Sequence, residues 1–141
     1  MDKGKYLDQA LHVSQVKVRF FDTDLSGAVF FANFIKWFDS IAVIDYLKEK
    51  GVDWISLNQE NVDAVMVNVN FDFIAPLYLD NIVDITIEEV LPGNKSIKIS
   101  GSLYKNDTGA IVARCSAVYV FVNNSTRDSI AIPASILEKL S

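Results

Sequence analysis

The chain has 141 residues, 50% of them hydrophobic, with nine Phe and a formal net charge of −5 at pH 7. This length and composition predict one globular domain over residues 1–141 and exclude a disordered chain. Basic residues are scattered through an acidic chain, which argues against a nucleic-acid-binding surface, and polar residues interrupt the longest apolar run, so we expect no membrane span. The single cysteine, Cys115, cannot form an intrachain disulfide and no signal peptide is apparent, which favours a cytoplasmic protein.

The first third of the chain predicts a frayed start, one strand and one long helix. Residues 1–10 are mostly polar and are expected to be frayed. Val13–Phe20 alternates apolar and polar side chains, with Phe20 on the apolar face, as a half-buried strand does. Residues 30–50 are apolar on nearly every face and contain no Gly or Pro, and Gly51 follows at a position typical of helix ends. This pattern predicts a long buried helix.

The rest of the chain predicts four more strands and a closing helix. Strands are expected at Ala64–Ile74, Ile82–Leu91, Ser96–Lys105 and Ile111–Val122, with a short irregular or helical linker at Val52–Asn61 and a last helix at Pro133–Leu140. In the first of these strands five apolar side chains are expected to point one way: Val65, Val67, Val69, Phe71 and Phe73. Short connections favour antiparallel pairing. The architecture is α+β, a curved antiparallel five-stranded sheet wrapped around one long buried helix, which is the hotdog fold.

Several kinds of catalytic chemistry find no support in the sequence. His12, the only histidine, lies at the start of the first strand with no nearby acid or nucleophile pattern, so we expect a solvent-facing side chain and no Ser-His-Asp or Cys-His mechanism. Cys115 lies in a strand predicted to be buried, where cysteine behaves as a small hydrophobe. No metal-ligand spacing, phosphate-binding glycine loop or dinucleotide fingerprint is present, so no metal and no separate cofactor are expected.

An acidic turn before the long helix is the remaining candidate site. Asp22 and Asp24 precede Gly27, and the helix begins a few residues later. The first N–H groups of a helix have no intrahelical partner and could polarise a substrate carbonyl, while a nearby carboxylate attacks it or activates water. Gly27 would let the backbone approach a ligand closely. The alternative is structural, with Asp22 or Asp24 capping the helix and Gly27 serving a turn.

The same segment carries a family resemblance. FDTDLSGAVFFANFIKWFD resembles the active-site signature of the 4-hydroxybenzoyl-CoA thioesterase family of hotdog proteins, in which D-x-D-x-x-G-x-V leads into the central helix. Later stretches resemble that family's other strands and closing helix, so the resemblance runs from about Val13 to the end. It implies hydrolysis of an acyl-CoA, with coenzyme A as part of the substrate, by a homodimer or homotetramer whose sites lie between subunits.

The resemblance also implies roles for particular residues. Asp24 takes the position of the catalytic carboxylate, as nucleophile or general base, and the backbone N–H of Phe31 that of the group polarising the thioester carbonyl. Asp39 falls where that family meets the phenolic end of the acyl group, although Asp39 would equally suit an ion pair with Lys36. Lys95 falls where a basic residue meets the coenzyme A phosphates.

The chain departs from the family pattern around the acyl group and the nucleotide. Phe30 and Phe31 stand where aromatic residues with a polar tip occur, and Gly93 and Asn94 stand where basic residues occur. We therefore expect Phe30 to contact an apolar acyl group rather than hydroxybenzoyl. Most of the aromatic side chains at helical spacing are expected to be core. Two alternatives stay open: a non-catalytic acyl-CoA-binding domain, and a thioesterase acting on acyl carrier protein substrates.

Overall fold

The computed structural model describes residues 3–140, with the backbone alone described at Lys3. The α-helical segments are α1 (Lys3–Gln9), α2 (Ala32–Trp37), α3 (Ile44–Glu49), α4 (Trp54–Gln59) and α5 (Ala134–Leu140). The strands are β1 (His12–Lys17), β2 (Val62–Phe73), β3 (Ile82–Pro92), β4 (Ser96–Lys105) and β5 (Ile111–Asn123). A 3-10 turn, Phe20–Asp22, follows β1, and a π-helical segment, Phe38–Val43, joins α2 to α3.

The five strands form one antiparallel sheet in the order β1-β3-β4-β5-β2. The sheet wraps around the helical run of residues 32–49, called the central helix below, as the α+β hotdog prediction required. β4 begins and ends at the predicted residues, between the predicted turns on either side. Buried and more exposed side chains alternate over residues 96–100, whereas residues 101–104 are all buried. β1 and β2 are the edges, so β2 leaves one row of backbone groups without a strand partner among the described residues.

The central helix is held in place by burial of its apolar side chains against the sheet. The buried set comprises Phe34, Trp37, Phe38, Ala42, Val43, Tyr46 and Leu47. The helix ends as predicted at Gly51, whose φ of +84° is a left-handed conformation and whose amide donates to the Lys48 carbonyl at 3.0 Å.

Gly101 of β4 lies where the neighbouring strand and the central helix leave no space for a side chain. A Cβ at this position would lie 1.9 Å from the Thr86 carbonyl oxygen and 2.9 Å from the Phe38 ring. Phe38 is fully buried. A side chain at residue 101 would therefore push either the Phe38 ring or the neighbouring strand out of place.

The prediction of a frayed amino-terminal segment is wrong for the described residues. Lys3–Gln9 is helical, and Tyr6 stacks on Tyr104 of β4 with ring centroids 3.9 Å apart. The Tyr6 hydroxyl donates to Asp84 of β3 at 2.6 Å, and both side chains are buried. These contacts attach α1 to the sheet face opposite the central helix. Residues 1 and 2 lie outside the described residues.

A bulge in β2 overturns part of the predicted alternation. The register with β5 shifts between Met66 and Asn68, so Val67 has no opposite residue and is 57% exposed. Beyond the bulge Val69 and Phe71 face the core as predicted. Before it the core-facing residues are Val62, Ala64 and Met66, so the expectation for Val65 and Val67 was wrong.

The first strand is shorter than predicted. β1 ends at Lys17, and Phe20 lies in the 3-10 turn with 80% of its surface exposed, not on the core face. Val18, between them, is fully buried as expected. Within residues 3–140 no helix combines the length and apolar character that crossing a membrane requires.

Candidate active site

Asp22 is the structural acid of the turn. Its carboxylate is buried and accepts the Arg19 amide at 2.8 Å, and its backbone carbonyl accepts the Phe30 amide and the Asn33 side-chain amide, both at 2.9 Å. Neither acid caps the central helix, since α2 starts after Phe31 without a side-chain cap. The capping alternative is therefore wrong, and Asp24 is left for another role.

Asp24 lies on the surface of a short loop with an exposed carboxylate. One carboxylate oxygen accepts both the Ser26 hydroxyl and the Ser26 amide, the latter at 2.8 Å. The hydroxyl, and then the amide, stabilise the charged form and lower the pKa of Asp24 below its usual value. Asp24 is thus an ionised carboxylate at neutral pH, as a nucleophile or general base must be.

Gly27 closes the same loop. Its amide donates to the Asp24 carbonyl at 2.9 Å, and the Asp24 amide donates to Ala28 at 3.0 Å. Gly27 has a φ of +84°, and a Cβ there would meet no atom within 4 Å. The glycine is therefore required by backbone conformation, and the space beside it is open to a ligand.

The start of the central helix offers a free donor next to this loop. The Phe30 amide donates to the Asp22 carbonyl, whereas the Phe31 amide has no protein acceptor among residues 3–140. Phe31 already has helical dihedral angles, so its amide points outward from the first turn with the helix dipole behind it. This is the arrangement that stabilises negative charge developing on a carbonyl oxygen.

Exposed aromatic rings lie at the same start of the central helix. The rings of Phe30 and Phe31 lie 4.8 Å apart, and Phe31 contacts Phe73 of β2 at 6.0 Å. Phe31, Phe34 and Phe73 help to line a shallow pocket of about 290 Å³, called the mouth below. Phe30 and Phe31 are 45% and 57% exposed, and no hydroxyl group comes from either ring.

Asp39 lies farther along the central helix, about 12 Å from Phe31 at 1.5 Å per residue. Its carboxylate accepts the Tyr119 hydroxyl of β5 at 2.7 Å. Burial, and then Asp39, raise the pKa of the Tyr119 hydroxyl. Among the ion pairs of residues 3–140 none joins Asp39 to Lys36, so that alternative is not realised.

Lys95 lies at the other end of the sheet. Its carbonyl accepts the Phe121 amide, and its ammonium group lies 3.4 Å from the Ser129 hydroxyl. Phe73, at the mouth, pairs with Ala113, which is about 26 Å from Phe121 along β5 at 3.3 Å per residue. One chain thus brings Asp24, Gly27, Phe30 and Phe31 together but leaves Lys95 remote from them.

A hydrogen-bonded chain at His12 is the feature that sequence reasoning missed. His12 Nδ1 lies 2.6 Å from Glu49 Oε2 and its Nε2 lies 2.9 Å from Ser14 Oγ. Its side chain is 13% exposed, so the expectation of a solvent-facing histidine was wrong. Ser14 is buried and its hydroxyl donates to Asp45 at 3.2 Å, which makes the group a link between β1 and the end of the central helix rather than an accessible nucleophile. Only the fold brings these residues together.

Cys115 lies in β5 as a buried side chain, as predicted. Burial raises the pKa of its thiol well above the usual value. Asp24 therefore remains the candidate for the site's reacting group.

Comparisons with known proteins bear on the family and the fold of this chain. A family model described as the thioesterase-like superfamily matches residues 18–140. The long-chain acyl-CoA thioesterase FadM of Escherichia coli (strain K12) is 23% identical over 127 residues, 90% of this chain and 95% of that protein. A gentisyl-coenzyme A thioesterase structure is 27% identical with a TM-score of 0.82, covering 92% of this chain and 100% of the other. A 1,4-dihydroxy-2-naphthoyl-CoA thioesterase from Synechocystis shares the fold alone, with a TM-score of 0.83 at 15% identity over 91% of this chain and 93% of that one.

Proposed function

Since this chain belongs to the thioesterase-like superfamily, we propose that it hydrolyses acyl-CoA thioesters to the free acid and coenzyme A, with Asp24 as the essential carboxylate. The observation that carries the proposal is an exposed, ionised Asp24 on the loop that leads directly into the central helix, whose first residues offer a Phe31 amide without a protein acceptor among residues 3–140. Coenzyme A belongs to the substrate, and the proposed reaction uses no separate cofactor.

The two groups have complementary tasks. The Phe31 amide donates a hydrogen bond to the thioester carbonyl oxygen, and this bond strengthens as the oxygen becomes negative. Asp24 either attacks the carbonyl carbon, forming a mixed anhydride that water then hydrolyses, or takes a proton from a water molecule that attacks in its place. In both routes the C–S bond breaks, coenzyme A leaves as the thiol, and the acid is released. Gly27 keeps the loop backbone clear of the substrate.

The proposed acyl group is apolar. Phe30 and Phe31 offer no side-chain hydrogen bond at the mouth, and the Asp39 carboxylate already accepts the Tyr119 hydroxyl. A phenolic acyl group would therefore exchange its hydration for few protein contacts. The curated relative FadM is described as a long-chain enzyme, whereas the gentisyl-coenzyme A relative is described by an aromatic acyl group, so a substrate panel has to include both classes.

The proposed enzyme is a homodimer or a larger homo-oligomer. Five large apolar side chains near the Asp24 loop are at least 45% exposed: Phe20, Phe21, Leu25, Phe30 and Phe31. A patch of this kind beside an unpaired β2 edge is suited to a second copy of the chain. A second copy also offers a Lys95 that the first chain holds too far from its own Asp24. Light scattering at micromolar concentration tests this, and a monomer would contradict it.

The decisive experiment is thiol release from a panel of CoA thioesters by wild type and Asp24→Asn. The panel runs from acetyl to palmitoyl and includes benzoyl, hydroxybenzoyl and gentisyl groups. We expect Asp24→Asn to lower kcat/KM for the best substrate by about 10³-fold or more, as loss of a reacting group does. Asp53→Asn is the matched control, because Asp53 is an exposed carboxylate that binds Ser56 in a similar turn.

Each outcome decides something. Retained turnover in Asp24→Asn would overturn the role of Asp24. Binding of CoA thioesters without thiol release would favour the non-catalytic binding domain. Thiol release only from acyl carrier protein thioesters would mean that the substrate carries its acyl group on the carrier protein and not on coenzyme A.

A further inference from the structure

A second cavity lies behind the central helix, away from the mouth. It has a volume of about 150 Å³ and lies between the central helix, α4, α5 and the inner face of the sheet. Its wall is largely apolar and includes Val43, Ala64 and Ile136. Asp39 and Tyr119 form the polar part of the wall, and they bind each other. The cavity therefore offers a ligand mainly hydrocarbon contacts, with one polar pair in its wall.

The size of this cavity sets the size of its ligand. An apolar core cavity of about 150 Å³ is large enough to bind benzene and stays dry when empty. The cavity behind the central helix thus has room for about six carbon atoms. An aliphatic group entering it would replace missing packing contacts and lose its own contact with water.

One face of the central helix leads from the Phe31 amide to this cavity. Phe31, Ile35 and Asp39 are spaced four residues apart, so they lie on the same face. All three are at least partly exposed, and Asp39 lines the cavity. The distance from Phe31 to Asp39 is about 12 Å, which an extended hydrocarbon chain covers with about nine or ten carbons.

The helix is irregular where it borders the cavity. Asp39 and Val43 both line the cavity and both belong to the π-helical segment Phe38–Val43. Single π turns are rare and occur frequently at functional sites. Here the π turn coincides with the one stretch of the central helix that borders both the Tyr119 hydroxyl and the apolar space behind it.

We infer that this cavity, the tail cavity, receives the far end of the acyl chain, which makes the substrate class a straight-chain acyl-CoA of about 12–16 carbons. The inference rests on the proposed function, since it takes the thioester carbonyl to lie at the Phe31 amide. The chain runs from that amide past Ile35, turns in beside Asp39, and ends between Val43 and Ile136. Short acyl groups leave the tail cavity empty.

The first test measures binding without turnover, using the thioethers hexyl-CoA and hexadecyl-CoA and isothermal calorimetry. Because each buried methylene raises affinity about fourfold before ordering costs, we expect the wild-type protein to bind hexadecyl-CoA about 100-fold more tightly. Ala64→Phe fills the tail cavity and is expected to lower this ratio to about tenfold or less. Val65→Phe is the matched control, since Val65 lies on the opposite face of β2 and should keep the ratio.

A second variant changes the cavity in the other direction. Ile136→Ala enlarges it and should move the chain length of best turnover upward by about two carbons. The assignment of the tail cavity to the acyl chain would be overturned by an unchanged hexadecyl-to-hexyl affinity ratio in Ala64→Phe. An unchanged chain length of best turnover in Ile136→Ala would overturn it as well. Wild-type thiol release without any chain-length preference would overturn it while leaving the proposed function intact. Chain-length-dependent binding without thiol release would overturn the proposed hydrolysis and leave the tail cavity intact. Absence of both the binding preference and thiol release would overturn both proposals.

Discussion

The Tyr119 hydroxyl donates a 2.7 Å hydrogen bond to the Asp39 carboxylate, joining β5 to the central helix across 80 positions of sequence. The family resemblance predicts that Asp39 meets the phenolic end of the acyl group, and the Tyr119 hydroxyl already binds the carboxylate that would do so. Because burial and the neighbouring carboxylate raise the pKa of Tyr119, the hydroxyl stays protonated and keeps donating throughout the physiological range.

Tyr119→Phe is expected to free Asp39 for a substrate hydroxyl. The ratio of kcat/KM for 4-hydroxybenzoyl-CoA to that for benzoyl-CoA should rise about tenfold, the value of one hydrogen bond to a charged group. Thiol release with the two substrates measures the ratio. Tyr104→Phe, which changes a buried tyrosine on the opposite sheet face, should leave it unaltered. Equal changes for both substrates would contradict an acceptor role for Asp39.

Ser26→Ala is expected to shift the acidic limb of the pH profile. The Ser26 hydroxyl stabilises the Asp24 carboxylate and lowers its pKa, so losing it raises that pKa. The fall of kcat/KM on acidification should then begin at a higher pH than in wild type, with little change at pH 7 and above. Ser56→Ala removes the corresponding hydroxyl from Asp53 and should leave the profile in place. Coincident profiles for Ser26→Ala and wild type would speak against Asp24 as the titrating group.

Tyr6→Phe tests the attachment of α1 to the sheet. Asp84 is 2% exposed and accepts from Tyr6, Gln15 and Asn106. Removing the Tyr6 hydroxyl keeps the ring stack on Tyr104 but leaves a buried carboxylate with one donor fewer. We expect the free energy of unfolding in urea to fall by about 1–3 kcal/mol.

The control for Tyr6→Phe is again Tyr104→Phe. That hydroxyl lies 3.4 Å from the exposed Glu88, so its loss should cost about 0.5 kcal/mol or less. Equal losses for the two variants would mean that the Tyr6–Asp84 bond does not hold α1.

Gly101→Ala should be severely destabilising. The added Cβ would overlap the Thr86 carbonyl oxygen, and neither that strand nor the buried Phe38 can move without losing core contacts. We expect a loss of more than about 3 kcal/mol in unfolding free energy, or failure to express as soluble protein. Gly93→Ala, where the new Cβ would lie 3.3 Å from the Ser96 carbonyl oxygen in an exposed turn, should cost about 1 kcal/mol or less. Similar losses at both positions would contradict the close approach at Gly101.

The elements that the sequence predicted well are those whose signal is local. The apolar run before Gly51 predicts the central helix, and the turn residues on either side of β4 predict where that strand begins and ends. The Asp24 loop is local too, since its hydrogen bonds join residues two to four positions apart. A candidate carboxylate next to a helix start was therefore visible from the chain alone.

What the sequence did not predict depends on residues distant in the chain. His12 meets Glu49 across 37 positions and Tyr6 meets Asp84 across 78, and nothing in the neighbourhood of either residue indicates its partner. The polar composition of residues 1–10 predicts a frayed segment, yet the buried Tyr6 and its bond to Asp84 attach α1 to the sheet. The tail cavity was not predicted for the same reason, because residues from six elements distant in the chain form its wall.

The bulge in β2 has a consequence for how that strand tolerates change in length. β2 contains twelve residues, but Val67 has no opposite number on β5, so the ladder has one rung fewer than the strand has residues. Without Val67, the remaining residues would alternate in a single unbroken phase with Ala64, Met66, Val69 and Phe71 still turned inward. Deletion of Val67 should therefore leave the set of core-facing residues of β2 unchanged. It would remove only the extra local twist that a bulge adds.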